Sequence, residues 1–117
     1  MTYQNSTSTS EVTPPLVSVV MPCLNEETSI GICIDQIQQV LLKNAISGEI
    51  IVCDNGSIDH SVEIIKSKEV TLVYESKKGY GNAYLKAFER ARGKYIIMGD
   101  SDGTYDFKLI PRFLDEL

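Results

Sequence analysis

The chain has 117 residues, enough for one domain, and 43% of them are hydrophobic, an ordinary share for a chain with a packed core. Sixteen acidic residues against eleven basic ones give a net charge of -5 with no basic cluster, which excludes non-specific nucleic-acid binding. Three cysteines without a Cys-x-x-Cys spacing exclude a disulfide framework and a patterned zinc site.

Residues 1–15 are polar, rich in Ser and Thr, and end in Pro14-Pro15, a composition that predicts a disordered tail ahead of a folded part over 16–117. The first strand is predicted over 16–21, with Pro22 ending it by removing a ladder donor. Beyond the turn 23–27, Thr28 or Ser29 can cap a helix. Its Ile30, Ile34, Ile37 and Leu41 share one face, with Cys33 and Val40 beside them, and Lys43-Asn44 and Gly48 close it. A second strand over 49–53 is almost wholly apolar, as a parallel strand covered on both faces should be. The turn 54–59 leads to a short helix holding Val62, Ile64 and Ile65, capped by Asp59 or Ser61. A third strand is predicted over 70–74. A flexible loop over 75–81 then enters a helix with Tyr84, Ala87, Phe88 and Ala91 on one face, ended by Gly93. The fourth strand spans 94–99, and its apolar run 95–99 reads as buried. A last helix starts near Lys108, and residues 113–117 carry no Gly or Pro stop, so the chain reads as cut in mid-helix. This alternation predicts an α/β fold: an open, mainly parallel sheet with right-handed crossovers and helices on both faces.

In such a sheet, ligands bind outside the carboxyl ends of the strands. Here each strand exits into a distinctive polar turn: Pro22, Asn25 and Glu26; Asp54, Asn55, Gly56 and Ser57; Lys77, Lys78, Gly79 and Gly81; and Asp100, Ser101 and Asp102. Turn chemistry alone explains Asn55-Gly56-Ser57, but not the paired Glu26-Glu27 or the two aspartates. Carboxylates one residue apart suit Mg2+ or Mn2+, because a hard cation takes oxygen ligands from one or two carboxylates and the phosphates of a substrate. The chemistry that fits the whole set is nucleotide recognition. Asp54 can accept from a base N–H, and the backbone of 22–25 can frame base and ribose. Glu26 can take a ribose hydroxyl or a base amine. Gly79 and Gly81 let the backbone approach a ligand, and Lys77 or Lys78 can meet a phosphate as a point charge, a solvated loop being the alternative. Tyr74, Tyr84 and Phe88 read as core. His60 reads as a turn residue. Cys23 and Cys33 have no basic neighbour in sequence to make a nucleophile; Cys53 reads as a small buried hydrophobe, which fits a reducing compartment.

Four stretches in this order resemble the family 2 glycosyltransferases of the GT-A fold. They are Val17-Ser18-Val19-Val20-Met21-Pro22 with Asn25-Glu26-Glu27; Ile51-Val52-Cys53-Asp54-Asn55-Gly56-Ser57-Ile58-Asp59; Lys78-Gly79-Tyr80-Gly81-Asn82-Ala83; and Gly99-Asp100-Ser101-Asp102. The style of the turns is most similar to members that charge polyprenyl or dolichyl phosphate with a hexose. The resemblance implies a GT-A, Rossmann-like donor half, truncated, with a UDP- or GDP-linked sugar donor and Mg2+ or Mn2+. Inversion by direct displacement, a lipid-phosphate or glycan acceptor and no nucleic acid are implied with it. It assigns nucleotide-sugar binding to Pro22, Asn25, Glu26, Asp54, Lys78, Gly79, Asp100 and Ser101, and metal to Asp100 and Asp102. It puts the catalytic base beyond Leu117. One departure stands out: where many members have two acidic residues after strand two, this chain has Asp54-Asn55, so a second carboxylate is missing.

Two rivals remain on sequence. Asp100-Ser101-Asp102-Gly103-Thr104 after an apolar strand also resembles the opening of haloacid-dehalogenase phosphatases, with Asp100 as nucleophile and Asp102 as general acid. A degenerate domain that only binds nucleotide is the other. A dinucleotide-binding domain fares worse, because no G-x-G-x-x-G follows strand one and Gly79-x-Gly81 lies before strand four without the third glycine. The first ten residues lack a signal peptide and no apolar run reaches membrane-spanning length. The expectation is a cytoplasmic chain whose full-length protein sits at the cytoplasmic face of a membrane, with an exposed sheet edge that favours homo-oligomers.

Overall fold

The computed structural model describes residues 13–103 and 106–116. The first twelve residues of the expected tail, and Thr104, Tyr105 and Leu117, lie outside them.

Four strands, β1 (Val17–Cys23), β2 (Gly48–Asp54), β3 (Thr71–Tyr74) and β4 (Tyr95–Met98), form one parallel sheet in the order β3-β2-β1-β4. Helices α1 (Ile30–Lys43), α2 (Ser61–Lys66) and α3 (Tyr80–Arg90) are the crossovers, and a 3-10 turn Phe107–Leu109 leads into α4 (Ile110–Asp115). Alternation along the strands divides the core in two. Val17, Val19, Met21, Ile50 and Val52 face α1 and α2, meeting Ile30, Ile34, Ile37 and Ile65. Val20, Ile51, Cys53 and Val73 face α3, meeting Ala83 and Ala87. The chain steps outward from β1 to β3 with α1 and α2 on one face, then returns across to β4 with α3 on the other. A right-handed crossover requires that change of face when the direction of stepping reverses. The reversal sits between β1 and β4, which is where such sheets open a crevice at their carboxyl ends.

Pro22 does not end β1; it lies within it, paired in register with Cys53. The reason is parity. Val20 turns its carbonyl to β4, accepting from Gly99 N at 2.9 Å, and Pro22 has the same orientation. The β1–β4 pairing stops at Val20 and Met98, so the missing N–H of Pro22 removes no ladder bond. The expectation that β4 is buried is overturned: Ile96 and Met98 are 44% and 49% exposed, because β4 is the edge of the described sheet and α3 does not reach across it. Gly93 does not cap α3, which ends at Arg90 with Ala91 as its cap. Its place is set by contact: a Cβ there would stand 2.6 Å from Ser18 N and 2.7 Å from Val17 C. The bare backbone instead donates from Gly93 N to the buried Ser18 Oγ at 2.8 Å, and that hydroxyl donates to Glu49. Tyr74, read as core, is 54% exposed at the end of the short β3.

Candidate functional site

The four strand exits lie along one rim, and hydrogen bonds between turns hold them in register. The first two turns are zipped together. Asn25, at φ 54, donates from its N–H to Ser57 Oγ at 2.8 Å, and its Oδ1 accepts from Ile58 N at 2.8 Å. Glu26 N donates to Ser61 Oγ and Glu27 N to Asp59 Oδ2. The Glu27 carboxylate accepts from His60 N at 2.8 Å and meets the His60 ring at 3.0 Å. Asp59 and Ser61 were expected to cap α2, and the N-cap position falls instead on His60, which makes no side-chain cap bond. Asp59 still serves the helix start, accepting from Ser61 N at 2.8 Å.

The hydrogen bond to Glu27, then the charges of Glu63 and Glu27, hold the His60 imidazolium above its ordinary value. A raised folded pKa stabilises the folded state below the unfolded value of 6.5, and that contribution fades as pH rises through the folded pKa. Titrating the ring by NMR should therefore give a midpoint above 6.5, falling back in Glu27→Gln; a midpoint at or below 6.5 contradicts the pairing.

The fourth turn is clamped from both sides. Ser101 is 3% exposed, and its hydroxyl points inward, donating to Pro22 O at 2.7 Å. Its carbonyl accepts from Ser29 Oγ at 2.6 Å, so Ser29, expected to cap α1, stands at the N-cap position but spends its hydroxyl on this turn. Ser101 and Pro22 thus fix the rim from beneath. Asp100, half-buried, and Asp102, exposed, flank Ser101. Tyr84, read as core, packs on Phe88 at 6.2 Å between ring centroids, and its hydroxyl reaches the site, donating to Gly99 O at 2.9 Å and lying 3.4 Å from Asp100 Oδ1. Tyr80, which motif reading did not single out, opens α3 at this rim. Burial raises its hydroxyl pKa, and so do the Glu26, Asp102 and Asp100 carboxylates, so one ring lies within electrostatic reach of three carboxylates.

Asp54 is 3% exposed at the end of β2. Its Oδ2 accepts from Gly56 N at 3.0 Å and Ser57 N at 2.9 Å. Its Oδ1 is buried without a hydrogen-bond partner among the described residues. Leaving such an acceptor unmatched costs about 1–3 kcal/mol, a penalty that functional sites retain. Lys78 folds back over the second turn, its Nζ 3.5 Å from Asn55 O. All three thiols are buried and raised above the ordinary value; Cys53 is pushed up to about 11 by burial, then by the Glu75 and Asp54 carboxylates. None is poised as a nucleophile.

The donor set fits a hard dication that arrives with its own oxygen ligands. Asp100 and Asp102 offer carboxylates, while no group of three or more His, Cys, Asp or Glu that could hold a metal ion occurs among the described residues. Two carboxylates are too few to fill six positions, so a cation there would need further oxygens from a ligand and water. A groove of about 740 Å3, lined by Gln36, Gln39, Lys43, Asp106 and Lys108, opens between α1 and the 3-10 turn and touches the rim at Gly103.

Comparison with known proteins defines the class. The chain belongs to glycosyl transferase family 2, whose model matches residues 18–117. Among curated relatives it is similar to the low-salt glycan biosynthesis hexosyltransferase Agl6 of Haloferax volcanii, 48% identical over 101 residues, 86% of this chain and 24% of the relative. It is also similar to the undecaprenyl-phosphate 4-deoxy-4-formamido-L-arabinose transferase of Pseudomonas aeruginosa, 32% identical over 107 residues, 86% of this chain and 32% of the relative. The chain therefore spans about a quarter of the first relative and about a third of the second. Among solved structures it resembles glucosyl-3-phosphoglycerate synthase from Mycobacterium tuberculosis in complex with Mn2+, UDP and glucosyl-3-phosphoglycerate. The TM-score is 0.72 at 27% identity, covering 87% of this chain and 39% of that one. The α/β parallel sheet and its transferase kinship agree with the sequence reading, and family membership displaces the phosphatase alternative.

Proposed function

We propose that residues 16–117 form the donor-binding part of an inverting, metal-dependent hexosyltransferase. It takes its sugar from a UDP- or GDP-linked donor and passes it to a polyprenyl or dolichyl phosphate. One observation carries the reading: the buried, unmatched Oδ1 of Asp54 on the same rim as Asp100 and Asp102. A ring N–H on the pairing edge, which uracil (N3) and guanine (N1) carry and adenine and cytosine lack, is the donor that this oxygen is short of. Glu26 then faces the ribose hydroxyls or a base amine, and Asn25, already bonded to the second turn, keeps base and ribose framed between the two loops. Lys78 and the backbone at Gly79 lie toward the phosphates. Asp100 and Asp102 would hold the Mg2+ or Mn2+, which when bound would supply charge neutralisation for a diphosphate leaving group. Pro22 and Ser101 serve as the floor that fixes the two aspartates.

In the transfer, an acceptor oxygen bonds to the anomeric carbon from the face opposite the diphosphate. The bond to the diphosphate oxygen breaks with its electron pair, which inverts the carbon. The acceptor groups and the base fall to the length that the relatives have and this chain lacks. A lipid-phosphate acceptor is supported by the undecaprenyl-phosphate relative, and with it a place at the cytoplasmic face of a membrane. No helix among the described residues is long and apolar enough to cross one. The exposed Ile96 and Met98 of β4 support self-association of this chain in isolation.

Calorimetric titration with UDP, GDP, ADP and CDP, with and without Mn2+, tests the reading. Metal-dependent binding of UDP or GDP, lost in Asp54→Ala, is the expected result. Equal binding of all four nucleotides, or none of any, would overturn it.

A further inference from the structure

Asn55 occupies the place where a second carboxylate was noted as missing, and the structure gives the amide a use that no carboxylate can serve. The side chain is 1% exposed, and all of its hydrogen-bonding groups are engaged. Its Nδ2 donates to Glu75 O at 2.8 Å and to Lys77 O at 3.0 Å, while its Oδ1 accepts from Gly79 N at 3.0 Å. Its backbone N–H donates to Cys23 O at 2.8 Å, tying it to the end of β1. The residue thus reaches across from the β2 exit and pins both ends of the loop 75–79. That loop ends at Gly79, whose φ of 118 only glycine adopts freely and which is the N-cap of α3. Lys78 lies between the pinned points, and its ammonium would stand 2.9 Å from a Cβ at Gly56.

We infer that Asn55 is a positioning residue, requiring an amide rather than a carboxylate, that sets the 75–79 loop and with it Lys78 for the diphosphate of the donor. The diphosphate half of this inference rests on the donor-site reading above; the loop-holding half does not. The chemistry is one of donor count. Asn supplies two N–H donors and one acceptor, and the loop presents two carbonyls and one N–H. An aspartate keeps the bond to Gly79 but sets a negative, acceptor-only group against two carbonyls. A chain with a carboxylate here needs a different loop path.

The test uses this chain and its Asn55→Asp variant in two arms. In amide hydrogen exchange, residues 77–79 should exchange about tenfold faster or more in the variant, because a loop that has lost both of its carbonyl anchors opens more often even with the Gly79 bond retained, with α1 unchanged. Unchanged exchange at 77–79 overturns the inference. In the second arm, affinities for UDP and GDP with Mn2+ are compared with those for uridine and guanosine. Asn55→Asp should weaken diphosphate binding about tenfold and nucleoside binding less than about twofold, and should add nothing in a Lys78→Ala background, the signature of coupled residues. Equal losses for nucleoside and diphosphate, or full additivity with Lys78→Ala, reduce Asn55 to a structural residue. If the wild-type chain binds no nucleoside diphosphate, the donor-site reading fails and the diphosphate half with it, while exchange still decides whether Asn55 holds the loop. Should Asn55→Asp not fold, Asn55→Ala removes both donors to the carbonyls together with the acceptor for Gly79, and carries the same expectations.

Discussion

Asp102→Asn is expected to weaken Mn2+-dependent binding of UDP or GDP by about tenfold to a hundredfold, and Lys78→Ala by less. A carboxylate lost from a site with only two is half of the protein's contribution to the ion, and each tenfold step is about 1.4 kcal/mol. Lys78 is a single exposed ammonium partly satisfied by Asn55 O, so its removal costs one flexible point charge. The turn carrying Asp102 is held by Ser101 and Ser29 through backbone and hydroxyl bonds that the substitution leaves alone. Calorimetry with and without Mn2+ gives the ranking, and the reverse order counts against the metal assignment.

Phe107→Ala should lower folding stability by about 3–5 kcal/mol, the usual loss for a large buried aromatic, and so a large share of the roughly 5–15 kcal/mol that holds a domain of this size. Phe107 is 1% exposed and belongs to the core cluster on the α1 face. It also presses on Gly99, where a Cβ would stand 2.6 Å from its ring. Removing the ring therefore unseats the backbone that delivers Asp100. Chemical denaturation measures the stability loss, and the variant's residual nucleotide affinity should fall as well. A loss under about 1 kcal/mol would mean that the turn is supported elsewhere.

The alternation of apolar runs and polar turns made the parallel sheet legible, because strands covered on both faces are nearly unbroken hydrophobic runs. Ile30, Ile34, Ile37 and Leu41 were readable as one buried face for the same reason of period. What could not be read was which edge of a strand had a partner. Pro22 is harmless only because β4 stops short of it, and Ile96 and Met98 are exposed only because β4 lies at the edge of the described sheet, both consequences of strand order. That Asp54, Asp100 and Asp102 stand at strand exits was visible from type and spacing. Their supports were not. Asn55 looked like a lost carboxylate, and the inward bond of the Ser101 hydroxyl and the reach of the core-packed Tyr84 to Gly99 carried no signal, since each acts through a bond to a residue far off in sequence. Tyr80, Ser57 and Ser61 carried no signal beyond ordinary helix-start and turn chemistry.

The claim on which the whole account turns is that Glu26, Asp54, Lys78 and Asp102 surround one ligand. Paramagnetic line broadening by Mn2+, recorded on the amides of this chain in the presence of UDP or GDP, tests it directly. The account predicts that residues 25–27, 54–57, 78–80 and 100–103 broaden together and recover when the nucleotide is omitted. Broadening confined to one of these loops, or centred on the groove at Gln36, Gln39 and Lys43, would contradict it.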